Sequence, residues 1–172
     1  MKKVLVVFAL SMGLARAAYP QQPITVEVTD PENQLLGTAT LSPGSSGGVD
    51  VMLNLRGLTP GEHSISFHET AACQGWTLGA AGGHFNPSKK KHGLKNPDGP
   101  HAGDMGSFTV GADGAAKTTV AAPGMTLGGG PNSVFANGGT ALIINEGVDD
   151  MMTDPEGRVG ERVGCSAITK AK

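Results

Sequence analysis

Three imidazoles and one carboxylate, from His84, His92, His101 and Asp104, fall within 21 positions of one segment of the chain. Together they supply the nitrogen and oxygen donors of a closed tetrahedral shell suited to zinc. The residues interleaved with them, Gly83, Pro87, Gly93, Pro97, Gly99, Pro100 and Gly103, let a backbone wrap around an ion. Taken singly, each of these histidines reads as an ordinary surface or core residue, and their spacing fits no short zinc-finger pattern. Two more histidines, His63 and His68, share an upstream strand pattern, and Met151 and Met152 could offer thioethers to Cu(I). Gap filling is the more usual work of such methionines.

Other chemistries find little footing. No serine sits in a Gly-x-Ser-x-Gly elbow, and Gly128-Gly129-Gly130 lacks the lysine and hydroxyl of a phosphate loop, which leaves a flexible turn. Lys89-Lys90-Lys91 could steer anions, although three adjacent lysines are usually a solvated face. Trp76 is the only tryptophan and makes no stacking platform.

The elements that must position these groups are strands. Ile24 to Thr29 and Val49 to Leu55 alternate apolar and polar, the signature of a strand with one buried face. Further strand patterns cover 36–41, 63–68, 108–110, 118–121, 141–144 and 164–168. Turn residues separate them at Ser42-Pro43-Gly44, Pro60-Gly61, Asp113-Gly114 and Pro123-Gly124. Seven or eight short strands at this spacing predict an all-β antiparallel sandwich. Residues 71–107 break the rhythm, and a long aperiodic loop in a compact domain is usually functional.

With 172 residues and a formal charge of −2, the chain holds one domain's worth of material and offers no broad cationic surface, which argues against a nucleic-acid partner. Lys2 and Lys3, the apolar run Val4 to Leu10 and the small residues of Ala15-Arg16-Ala17 predict a signal peptide over residues 1–17, leaving a domain over 18–172. A transmembrane anchor would need about 20 apolar residues, and Ser11, Gly13 and Arg16 interrupt this run. The expectation is export across the inner membrane to the periplasm without a membrane anchor. In that oxidising compartment Cys73 and Cys165, the only cysteines, form the one intrachain bridge available; two free buried thiols are the alternative.

Six ordered blocks then acquire a common meaning: Gly61-Glu62-His63, Phe67-His68-Glu69, Gly82-Gly83-His84-Phe85-Asn86-Pro87, Pro100-His101-Ala102-Gly103-Asp104, Asn145-Glu146-Gly147-Val148-Asp149-Asp150 and Arg162-Val163-Gly164-Cys165. From Ile24 to Ile168 the chain resembles the copper/zinc superoxide dismutases of secreted bacterial type. The resemblance implies an immunoglobulin-like Greek-key barrel or sandwich of about eight antiparallel strands with long metal-binding loops. It implies one zinc on His84, His92, His101 and Asp104, and a neighbouring copper bridged through His84. It places Asp149 between a zinc-ligand histidine and a copper-ligand histidine, Arg162 beside the copper as the anion-orienting arginine, and Cys73 with Cys165 as the family disulfide.

The copper positions depart from the family pattern. Ser66 and Asn145 occur where the family has histidine, so His68 and His84 are the two copper-site histidines left. Copper prefers imidazole or sulfur ligands, whereas a neutral hydroxyl and an amide carbonyl are poor substitutes. Zinc cannot take over the redox work, because its filled d shell offers no one-electron step. The expectation is a zinc-binding relative with copper in doubt and little or no dismutation, Arg162 being vestigial or anion-steering. An active enzyme with an altered copper site and a non-catalytic copper-handling protein are the alternatives. A homodimer is open, and the sequence points to no particular protein partner.

Overall fold

The structure is a computed structural model that describes residues 22–170; the expected signal peptide lies outside the described residues. Eight antiparallel strands are present: β1 (Ile24–Thr29), β2 (Leu35–Pro43), β3 (Val49–Leu55), β4 (Gly61–His68), β5 (Phe108–Val110), β6 (Ala116–Ala122), β7 (Thr140–Asn145) and β8 (Arg162–Ile168). The helical content among the described residues is two single 3-10 turns, at Gly79–Ala81 and Ala136–Gly138. The sheet runs β5-β4-β7-β8-β1-β2-β3-β6, and its end strands β5 and β6 come together to give a nearly closed barrel. Strands distant in the chain pair side by side, β4 with β7 and β3 with β6, through the crossovers of a Greek key.

Alternation explains most of these strands. In β3, Val49, Val51, Leu53 and Leu55 are buried while Met52 and Asn54 face outward, as the period of two requires. The inward residues join Leu41, Ile65, Phe67, Leu142 and Ile144 in one core inside the barrel.

β4, β7 and the middle of β8 break the alternation because both of their faces are covered. All six residues of β7 are buried: Leu142 and Ile144 enter the main core, while Ala141 and Ile143 pack with Leu78, Ala81 and Cys165 in a second small cluster. That cluster lies beneath the first part of the 71–107 loop. In β4, Ile65 and Phe67 go to the core, and the opposite face presents Ser66 and His68, 4% and 1% exposed. Ser66 and His68 thus share a face, and the polar half of β4 is roofed by the long loop instead of by water.

The Cys73–Cys165 disulfide is formed, with 5.7 Å between the Cα atoms, and fastens that loop to β8. It closes 92 positions of chain, for which loop-closure entropy assigns about 4–5 kcal/mol. A Cys73→Ser, Cys165→Ser double variant is therefore expected to lose most of that amount in the urea unfolding of metal-free protein. A midpoint equal to that of the oxidised parent would contradict the estimate.

Candidate metal centre

The long loop is positioned by main-chain bonds to the end of β4. The Phe67 N–H donates to the Gly103 carbonyl (2.9 Å), the Phe85 N–H to the Phe67 carbonyl (2.8 Å) and the Gly103 N–H to the Phe85 carbonyl (2.9 Å). Two loop segments are thereby laced to one strand, which brings His84 and Asp104 side by side. Gly103 makes this possible: a Cβ there would collide with the Phe67 carbonyl oxygen.

Asp104 is the hub. Its Oδ2 accepts from the Gly93 N–H (2.8 Å) and the His101 N–H (2.9 Å), which fixes the carboxylate's orientation. Its Oδ1 accepts from Nδ1 of His84 (2.8 Å) and Nδ1 of His92 (3.1 Å), and lies 3.3 Å from Nδ1 of His101. Three imidazole nitrogens and one oxygen therefore converge, and all four side chains are buried. An ion held tetrahedrally by bonds of 2.0–2.2 Å sets its ligands about 3.3 Å apart, close to the three oxygen–nitrogen distances, and all four ligand atoms lie within 4.8 Å of one another. The Nδ1 of His101 is buried without a hydrogen-bond partner, an orphan that a cation would satisfy. The group could hold a metal ion, and its donors suit zinc.

Around this hub the charges are balanced by carboxylates. The His92 Nε2 bonds Asp149 Oδ1 (2.9 Å), and the same oxygen accepts the Met151 N–H (2.7 Å). Such an outer carboxylate fixes the ring of a ligand histidine. Burial works against a charged His92, yet Asp104 and Asp149 on its two nitrogens outweigh that and raise it to about 10 in the metal-free chain. Burial also opposes ionisation of Asp104, but bonds from His84, His92 and the Gly93 N–H hold it well below the usual carboxylate range. His101 is lowered, chiefly by burial.

The second half of the expected constellation is differently occupied. Burial, and next the neighbouring His84, push His68 down to about 3, so its ring is neutral at pH 7. It donates Nδ1–H to the Gly82 carbonyl (2.9 Å), and the remaining Nε2 lies 3.1 Å from Ser66 Oγ. Asn145 directs its amide to the Gly160 carbonyl at 3.4 Å. Asp149 bonds His92 and the Met151 N–H through Oδ1, and among the described residues it makes no tie to a second histidine. Arg162 donates to the Leu78 and Gly82 carbonyls (3.1 and 2.9 Å) and pairs with Glu156 (3.0 Å), so both terminal nitrogens of its guanidinium are engaged. His63 bonds the Asn145 and Thr59 carbonyls (2.9 and 2.8 Å), which commits both ring nitrogens to main chain.

Sequence reasoning missed Glu156. Its carboxylate, His68 and His84 form a further group whose ligand atoms lie within 4.8 Å of one another. Nothing in Thr153-Asp154-Pro155-Glu156-Gly157 marks this glutamate from its acidic neighbours.

The perturbed histidines set the pH response of the metal-free protein. His92, raised from 6.5, contributes stability that is complete below pH 6.5 and lost as pH rises through about 10. His68, lowered from 6.5, contributes stability that is complete above pH 6.5 and lost as pH falls toward about 3. Melting midpoints in chelator are therefore expected to peak near neutrality and fall on both sides, whereas a bound metal, taking the place of the proton on His92, removes the alkaline loss. A midpoint that climbs from pH 7 to 9.5 without metal would contradict the assignment.

Residues 35–168 match the family described as copper/zinc superoxide dismutase (SODC). The chain belongs to this family. It is 42% identical over 171 residues to superoxide dismutase [Cu-Zn] 2 of Aquifex aeolicus, covering 98% of this chain and 99% of that one. It is 36% identical to the superoxide dismutase-like protein YojM of Bacillus subtilis, over 83% of this chain and 74% of the relative. Among solved structures it resembles a SOD-like protein from Bacillus subtilis, with a TM-score of 0.79 at 34% identity over 83% of this chain and 96% of the other. The Cu/Zn superoxide dismutase of Brucella abortus aligns with a TM-score of 0.69 at 28% identity over 86% and 99% of the two chains. The barrel, the disulfide and the His/Asp group are thus those of a copper/zinc superoxide dismutase family member.

Proposed function

We propose that the mature protein is an exported, zinc-binding superoxide dismutase-like protein that performs little or no dismutation. Zinc is assigned to His84, His92, His101 and Asp104, where it knits the long loop to β4 and supplies no electron transfer. The observation that carries the reading is at the copper position: Ser66 Oγ occupies the ligand side of His68 Nε2, and the Asn145 amide is turned to a main-chain carbonyl. Dismutation requires one site to take an electron from one superoxide and return it to another. A copper ion must therefore be stable in both oxidation states, which two remaining imidazoles, one of them shared with zinc, do not provide.

Export to the periplasm is part of the proposal. It is supported by the Lys2-Lys3 start, the apolar run behind it and the small residues ending at Ala17. The Cys73–Cys165 disulfide suits an oxidising compartment. The mature oxidised protein, exposed to excess copper and zinc and then freed of loosely held ions, is expected to carry zinc and to show no dismutation above a metal-free control. Bound copper with fast turnover would overturn the reading.

A further inference from the structure

The side of His84 turned away from Asp104 still has donors around it. His84 gives Nδ1 to Asp104, which leaves Nε2 for a second ion. His68 is fixed through Nδ1 on the Gly82 carbonyl, which keeps the lone pair on Nε2; the Ser66 hydroxyl that now bonds it at 3.1 Å must turn away when an ion binds. Glu156 approaches from the loop before β8, and one ligand atom from each of the three residues lies within 4.8 Å of the others. We propose that His68, His84 and Glu156 form a second divalent-cation site, with Glu156 as the third donor where the chain has given up two imidazoles. The proposal rests on the reading of His84, His92, His101 and Asp104 as the zinc group, with which it shares His84.

Two imidazoles and a glutamate with one place left open make a donor set that zinc uses when it keeps an exchangeable position. Tetrahedral ligands lie about 3.3 Å apart, so atoms within 4.8 Å of one another must draw together by up to about 1.5 Å. His68 and His84 are buried and held by hydrogen bonds, so most of the freedom to move lies with Glu156, which is only partly buried on a turn. Its two oxygens both face Arg162, at 3.0 and 3.3 Å. One oxygen can turn to an ion while the other keeps the guanidinium.

Arg162 is then a competitor for the same carboxylate, which gives the proposal a distinctive sign. A cleft of about 550 Å³ opens onto His84 and Glu156, and Glu69, Asp154 and Glu156 on its wall offset Lys89, Lys90 and Lys91. Copper(II) would fit the same donors, because nitrogen and oxygen sites bind it more strongly than zinc. A carboxylate is nevertheless a hard ligand that favours Cu(II) over Cu(I), so copper held there would not regain a redox cycle.

Zinc is the probe. The metal-free, oxidised, full mature chain is titrated with zinc by calorimetry and its zinc content is measured after gel filtration. Two zinc ions per chain are expected, the second weaker. Glu156→Gln should retain the tight zinc alone, and Arg162→Gln should keep both and bind the second about tenfold more tightly, because a cation beside the ligand carboxylate is gone. One zinc per chain in both the parent and Arg162→Gln would overturn the second site and leave the first intact. Two zinc ions that persist in Glu156→Gln would overturn the role of Glu156. No zinc in the parent would remove the underlying zinc assignment as well.

Discussion

His92→Ala and Asp104→Ala are each expected to strip the chain of its tightly held zinc and to lower its melting midpoint by about 8–16 °C in zinc-containing buffer. The magnitude follows from linkage. A ligand present at about a thousand times its dissociation constant stabilises the folded state by about 4 kcal/mol, and each kcal/mol moves the midpoint of a chain this size by about 2–4 °C. Asp104→Ala removes more than a metal ligand and should fall at or beyond the upper end of that range, since Oδ2 also holds the Gly93 and His101 N–H groups. Those donors would be left in a buried site, which costs about 1–3 kcal/mol each. In His92→Ala the Asp149 carboxylate loses the ring it supports, so a tie between the 71–107 loop and the segment before β8 is lost as well. Zinc content by elemental analysis and midpoints with and without chelator test this together. The decisive comparison is the chelator step, which should be large for the parent and much smaller for the variants. Zinc content and melting unchanged from the parent would contradict the assignment.

What the sequence made legible follows from where a single residue type carries its own geometry. The strands announced themselves through alternation, as in β1 and β3, and the disulfide through there being only two cysteines. Position-by-position resemblance placed His84, His92, His101 and Asp104, and these four do converge. Elsewhere the signal belonged to the fold. Ser66 and His68 lie on the face of β4 opposite the core, and they are buried because the long loop folds over that face. Residues 71–107 read as aperiodic, yet they hold a 3-10 turn and isolated bridges from His84 to His68 and from Asp104 to Ser66. Glu156 was illegible for a related reason. Its approach to His84 depends on the path of the chain between Asp149 and Arg162, where Gly, Pro and acidic residues give no periodicity to read. Asp149 was half legible: its bond to His92 is made, and its other hydrogen bond goes to the Met151 N–H.

The double change Ser66→His with Asn145→His is expected to raise copper affinity by at least about a hundredfold, enough to retain one copper per chain against a chelator that strips the parent. The backbone for it is in place. Ser66 and His68 lie on one face of β4, with Oγ and Nε2 3.1 Å apart, so a ring at 66 would enter the space beside the His68 lone pair. Asn145 ends β7, the strand paired with β4, in register with Ser64, and its amide gives up one long hydrogen bond to Gly160 when a ring replaces it. Ser66 is 4% exposed, so the larger side chain must displace its neighbours, and overpacking of this kind typically costs about 1–3 kcal/mol. The double variant should therefore melt below the parent without copper and recover when copper is added, while dismutation rises from the metal-free background to a copper-dependent rate. Each single change leaves three imidazoles and should give weaker copper retention than the pair. If the folded, zinc-loaded double variant takes up no copper, positions 66 and 145 do not flank the His68 site, and the loss of dismutation would need a cause other than missing ligands.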